Sequence, residues 1–135
     1  MNLLIYSGQA DRDETELLRV TRHHSVQIVR TPKELISRLS QPPDGHNVAI
    51  VILLVSAMAE LEEFVEALDC FSDTALILIL PEEESVLDSN AFRLRASYMG
   101  FRGGEFEDVA AVVARIQTRI VRTKNTDPQG VEERL

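Results

Sequence analysis

The chain has 135 residues, of which 44% are apolar, enough for one domain with its own core and too little for two comfortable ones. Its 14 Lys and Arg against 22 Asp and Glu leave a formal net charge of -8, which disfavours general attraction to nucleic acid or anionic membranes. A membrane span needs about 20 consecutive apolar residues, and the longest run, Val48–Val55, is far shorter. The N-terminal apolar run ends at Tyr6 with no positive charge before it, so it does not read as a signal peptide. With one cysteine, Cys70, no intramolecular disulfide can form, and its position in an apolar-periodic segment predicts a buried, inert thiol. A cytoplasmic protein is the default expectation.

Asn2–Tyr6 is a short apolar run stopped by Ser7-Gly8 and predicts a buried strand. Asp11–His24 follows as a helix, with Leu17, Leu18 and Thr21 on one side and Asp11, Asp13 and Glu14 at its start. Ser25–Arg30 alternates, as an edge strand does. Thr31-Pro32-Lys33-Glu34 is a capping-box helix start, and Leu35, Ile36 and Leu39 form its apolar stripe. The turn-rich segment Ser40–Asn47 ends that helix.

Val48–Val55 is continuously apolar and rich in β-branched residues, as in a strand covered on both faces. A crossover over Ser56–Glu60 leads to a helix over Leu61–Phe71, with Leu61, Phe64, Val65 and Leu68 inward. Asp73-Thr74 turns into a second fully buried strand, Ala75–Leu80, which Pro81 stops. Glu82–Leu94 predicts a weaker helix, Ala96–Phe101 a short strand, and Gly103-Gly104 a turn. Glu105–Val121 has the strongest helical period, through Val109, Val112, Val113, Ile116 and Ile120. The domain is therefore expected over 1–122, with 123–135 a polar tail or interdomain linker.

Alternating strands and helices with doubly covered central strands predict an α/β three-layer sandwich. Five of each fit the flavodoxin-like parallel sheet of order 2-1-3-4-5, which puts the alternating second strand at the edge. Ligands of such sheets sit beyond the carboxyl ends of the strands. The residues expected there are Ser7, Gly8, Gln9, Val55, Ser56, Ala57, Pro81, Glu82 and the 102–104 loop. That set has one basic group, Arg102, and neither histidine nor cysteine.

Asp11 and Asp13 read first as partners of the helix dipole; the alternative is that they lean over the pocket and hold a divalent metal. Ser7-Gly8-Gln9-Ala10 lacks the glycine spacing of a phosphate loop or dinucleotide site. Ser56 and Ser85 have no histidine placed to activate them. His23, His24 and His46 fall at the opposite end of the sheet and read as surface residues rather than a metal trio. Arg115, Arg119 and Arg122 share one side of the last helix, with Lys124 beyond; they suit the negative end of its dipole, or else face an acidic partner.

The order of elements from Asn2 to Arg122 resembles the response-regulator receiver (CheY-like) family. Where that family's first strand ends in an acidic Mg²⁺-holding pair, this chain has Ser7 and Gly8. Val55 stands where the third strand should end in the phosphorylated Asp, and Leu80-Pro81 where the fourth should end in Ser or Thr. Tyr98-Met99-Gly100-Phe101-Arg102-Gly103-Gly104 replaces the fifth strand and its Lys-Pro, with Tyr98 similar to the switch aromatic and Arg102 the nearest basic residue.

The resemblance implies a degenerate pseudo-receiver: a non-enzymatic domain that keeps a docking surface and has lost phosphorylation. The family's surface of fourth helix, fifth strand and fifth helix would here include Val86, Asn90, Arg93, Tyr98, Phe101, Ala110 and Arg115. No cofactor is expected, and neither nucleic acid nor membrane. The partner would be another protein or a second copy, with fusion to an effector domain open. Two alternatives stand beside this: a phospho-receiver using Asp11 or Asp13 for Mg²⁺, and a small-ligand or cofactor-binding flavodoxin-like domain.

Overall fold

A strand points successive side chains to opposite faces, so a strand buried along its length must have a covered layer on both sides. β1 (Asn2–Ser7), β3 (Val48–Leu54) and β4 (Ala75–Leu80) meet this condition in a computed structural model that describes residues 2–40, 48–71, 74–82 and 89–125. Leu4, Tyr6, Val51, Leu53, Leu76 and Leu78 face one layer; Leu3, Ile5, Ile50, Ile52, Ile77 and Ile79 face the other.

β2 (Ser25–Val29) and β5 (Tyr98–Phe101) complete a parallel sheet of order β2-β1-β3-β4-β5, the order expected from the sequence. β2 is the edge strand that its alternation predicts: Ser25 and Gln27 are exposed, while Val26 and Ile28 pack against one core.

α1 (Arg12–Val20) and α5 (Glu107–Asn125) cover one face of the sheet. Leu17, Val109, Val112, Val113 and Ile116 are their buried contributions. α2 (Pro32–Ser40), α3 (Glu60–Glu66), a 3₁₀ turn (Leu68–Phe71) and α4 (Ser89–Arg93) cover the other. There Phe64 is fully buried, and its ring meets Tyr6 and Phe71 edge-on at centroid distances of 5.1 and 6.3 Å. Burying one such side chain is worth roughly 1.5–3 kcal/mol.

Local chemistry sets the helix ends. Thr31 Oγ1 accepts from the Glu34 N–H at 3.1 Å, and the Glu34 carboxylate reaches back to the Arg30 N–H at 3.0 Å. This is the expected capping box, displaced by one residue on its return bond.

Several boundaries differ from the sequence reading. α1 stops at Val20 rather than His24: Thr21, its C-cap, still donates its N–H and hydroxyl to the Leu17 carbonyl, and the chain then turns, with the His24 N–H on the Thr21 carbonyl at 3.0 Å. α3 ends at Glu66, and the rest of the expected helix tightens into the 3₁₀ turn. α4 is helical only over Ser89–Arg93, and Val86 and Ser85 lie outside the described residues. β5 begins at Tyr98. α5 begins at Glu107 and continues to Asn125, past the point where the sequence turns polar.

Candidate functional site

Parallel strands deliver their carboxyl ends to one edge, and the loops after β1, β3 and β5 meet there. After β1, Ser7 is buried and its hydroxyl donates to the Gln9 carbonyl at 2.9 Å, closing the turn into α1. Asp11 is the N-cap of α1: its Oδ1 accepts the Glu14 N–H at 3.0 Å. After β3, Val55 is buried and its N–H donates to the Ile79 carbonyl at 2.9 Å, leaving its own carbonyl at the pocket. The Arg102 N–H, following β5, donates to the Leu80 carbonyl at 2.9 Å, which carries the register of the sheet one residue beyond the strand.

That register aims the Arg102 side chain into the pocket. Its Nε donates to the Val55 carbonyl at 2.6 Å. Nη1 donates to Asp11 Oδ2 at 3.1 Å and to Asp13 Oδ2 at 2.8 Å. Nη2 donates to the Leu54 carbonyl at 3.3 Å and to Ser56 Oγ at 3.0 Å. A guanidinium has five N–H donors, and each has an acceptor here. The side chain is 13% exposed, against 31% for Asp11 and 15% for Asp13. Asp13 also accepts the Gly103 N–H at 2.9 Å, fixing a backbone turn that glycine enters at φ 91°.

Asp11 and Asp13 are therefore more than helix-dipole partners. They converge on the pocket, and the cation they face is an arginine of the same chain. Burial raises the Asp11 carboxyl, but the Glu14 N–H and the Arg102 guanidinium outweigh it and hold it below the ordinary carboxylate value. The combination was hard to see in the sequence because Arg102 lies 91 and 89 positions from its acidic partners. The one readable signal was a lone basic residue in a loop expected at the same edge.

The other expected pocket residues play smaller parts. At Gly8 an added Cβ would sit 3.7 Å from the Tyr6 hydroxyl, an ordinary contact, so the position does not require glycine. Pro81 is half-buried just after β4. Among the described residues no three His, Cys, Asp or Glu side chains cluster as metal ligands. His23 and His24 lie between α1 and β2, and His46 is outside the described residues. Cys70, expected in the core, is half-buried in the 3₁₀ turn with its Sγ 3.4 Å from Ser40 Oγ.

A second ion pair supports the β1 end. Glu14, read from the sequence only as a helix-start residue, is 5% exposed. Arg30, following β2, binds its carboxylate and also donates to the Ser7 carbonyl at 3.2 Å. Tyr6 beneath the turn is 3% exposed. Burial, reinforced by the Glu60 carboxylate, pushes its hydroxyl up to about 12.

The expected docking residues are spread around β5. Tyr98 packs against the α5 layer and Phe101 against the α4 layer, since alternation along β5 puts them on opposite faces. The Tyr98 hydroxyl lies 3.5 Å from Asp108 Oδ2. Asn90 and Ala110 are half-buried, while Arg93 and Arg115 are exposed. Arg119, Arg122 and Lys124 lie beyond the described side chains.

No family model and no curated protein sequence matches the chain. Solved structures do. The signal receiver domain of a LuxO-type repressor protein from Vibrio parahaemolyticus superposes with a TM-score of 0.66 at 15% identity, covering 94% of this chain and 97% of that one. A pilus assembly-related protein from Burkholderia pseudomallei gives 0.66 at 17% identity, covering 88% and 90%. A two-component response regulator from Clostridium difficile gives 0.63 at 14% identity, covering 88% and 97%. These likenesses establish the fold: the sheet and its five helices are those of a response-regulator receiver.

Proposed function

We propose that this domain is a non-enzymatic, phosphorylation-independent signalling module that binds another protein or a second copy of itself. The observation that carries the reading is the Arg102 guanidinium in the pocket, with all five donors satisfied. Transfer of a phosphoryl group to a carboxylate needs an acceptor acid at the end of β3 and a metal ion to neutralise charge. Val55 occupies the first place and offers only a carbonyl, which Arg102 already uses. A metal ion drawn to Asp11 and Asp13 would have to displace a cation that is covalently part of the chain.

Arg102 thus does statically what a metal would do on demand: it neutralises the two carboxylates and ties the loops after β1, β3 and β5 together. A pocket closed in this way has no use for a small anionic ligand, which disfavours the cofactor-binding alternative. The surface formed by α4, β5 and α5 is the one we assign to docking, by analogy with the fold's usual mode. Signal transduction in a two-component system, in the cytoplasm, is the setting that the receiver fold supports.

The test is a two-dimensional NMR titration of the full chain with Mg²⁺ and then beryllofluoride, an acyl-phosphate mimic. Unchanged resonances at Ser7, Val55 and Arg102 are the expected result. Saturable shifts centred on those residues would establish a working metal site at Asp11 and Asp13 and overturn the proposal.

A further inference from the structure

Exposed large apolar side chains have a cost, and among the described residues there are two: Leu68, 38% exposed, and Phe92, 78% exposed. They come from different elements, the 3₁₀ turn and α4, yet both line one groove at the amino-terminal edge of the sheet, far from the Arg102 pocket. The groove has a volume of about 630 Å³ and is floored by Phe71, Leu76 and Leu94. That is room for a few side chains of an inserted segment, not for a folded domain face.

The rim carries a charge signature. Arg93 and Arg95 line the groove and are exposed, and neither is ion-paired among the described residues. Asp69 is the acidic group among the lining residues. Two cations with no ion-pair partner among the described residues, beside exposed apolar groups, stand out on a chain of net charge -8. Arg95 also takes a left-handed backbone conformation, φ 53°, where α4 ends. Glycine is the usual residue there, so the position presents a guanidinium where the backbone would favour no side chain.

We propose that this groove receives an acidic amphipathic segment of a partner protein, with an apolar side chain between Leu68 and Phe92 and carboxylates on Arg93 and Arg95. A second copy of the chain fits less well. An isologous pair centred on the groove brings the same patch of both copies together, so four rim arginines would share one interface against two copies of Asp69. The inference rests on reading the domain as a protein-binding module; the groove shares Arg93 and the end of α4 with the α4, β5 and α5 docking surface, and it does not depend on the Arg102 pocket.

The experiment is an NMR titration of the full chain with two synthetic helical peptides. Both carry leucine at positions i, i+3 and i+7; one is flanked by glutamate and the other by lysine. The glutamate peptide is expected to give saturable shifts at Leu68, Phe92, Arg95 and Ser97, and to bind roughly tenfold more tightly than the lysine peptide, since the peptide charges facing the two rim arginines differ in sign. Arg93→Glu with Arg95→Glu reverses the preference. Phe92→Asp abolishes binding of both peptides with an unchanged melting temperature, because Phe92 is a surface group.

Absence of shifts at the groove, equal response to both peptides, or peptide-free concentration dependence of the same resonances would each overturn the inference. Adding Mg²⁺ and beryllofluoride to the same sample reports separately on Ser7, Val55 and Arg102, so failure of the pocket reading is distinguishable from failure of the groove.

Discussion

Replacing Arg102 with Met keeps the apolar stem and removes the cation. The two carboxylates that remain converge on one point, with Asp11 31% and Asp13 15% exposed. Breaking a fully buried ion pair costs about 3–5 kcal/mol. These carboxylates regain part of their hydration, so the appropriate figure is lower, about 2–3 kcal/mol. For a domain of this size that corresponds to a fall in melting temperature of about 8–12 °C. Thermal unfolding followed by circular dichroism measures the melting temperature, and urea unfolding the free energy.

Arg102→Lys should recover less than half of the loss, since an ammonium cannot reach the Val55 and Leu54 carbonyls and both aspartates at once. In the background of Arg102→Met, Asp13→Asn should regain about 1 kcal/mol by removing one of the facing charges. A melting temperature within about 2 °C of the parent for Arg102→Met would refute the reasoning, because a satisfied, nearly buried guanidinium cannot be lost without cost.

Three further outcomes follow from the same structure. Asp11 has a depressed folded value, so its contribution is present above its unfolded value of about 3.9 and is lost as pH falls through the folded one; Asp11→Asn should flatten the acid limb of a stability-versus-pH curve. Arg30→Ala leaves the Glu14 carboxylate buried without its cation and should lower the urea midpoint, a loss that a second change, Glu14→Gln, restores in part. Tyr6 must stay neutral in the core, so its contribution holds below its unfolded value of about 10 and disappears as pH rises through about 12. Ultraviolet titration of the phenolate should show that late transition in the parent and lose it in Tyr6→Phe.

The architecture was legible where one periodicity dominated. β3 and β4 have no polar residue, which leaves no arrangement but burial on both faces, and the alternation of β2 put it at an edge. The start of α2 was legible because a capping box is local chemistry. The end of α1 was not, since Arg22-His23-His24 has nothing against helix in its composition, yet the chain turns there with the His24 N–H on the Thr21 carbonyl.

The pocket was half legible. Ser7, Val55 and Arg102 lie at the expected edge because strand order alone places them there. Asp11 and Asp13 were read through their nearest neighbours as helix-start residues, which is half of what Asp11 does. Their pairing with Arg102 depends on the register of β5 against β4, a tertiary property with no local signature. Burial of Glu14 was invisible for the same reason: its partner Arg30 arrives from the next strand.

The most direct test of the account follows the Arg102 Nε–Hε resonance in isotope-labelled protein as Mg²⁺ is added. A guanidinium bound at all five donors should give a resolved, slowly exchanging signal, distinct from those of the exposed arginines and unmoved by Mg²⁺. A signal averaged with the exposed arginines, or one that Mg²⁺ displaces saturably, would contradict the claim that this chain carries its own cation where a receiver would hold a metal.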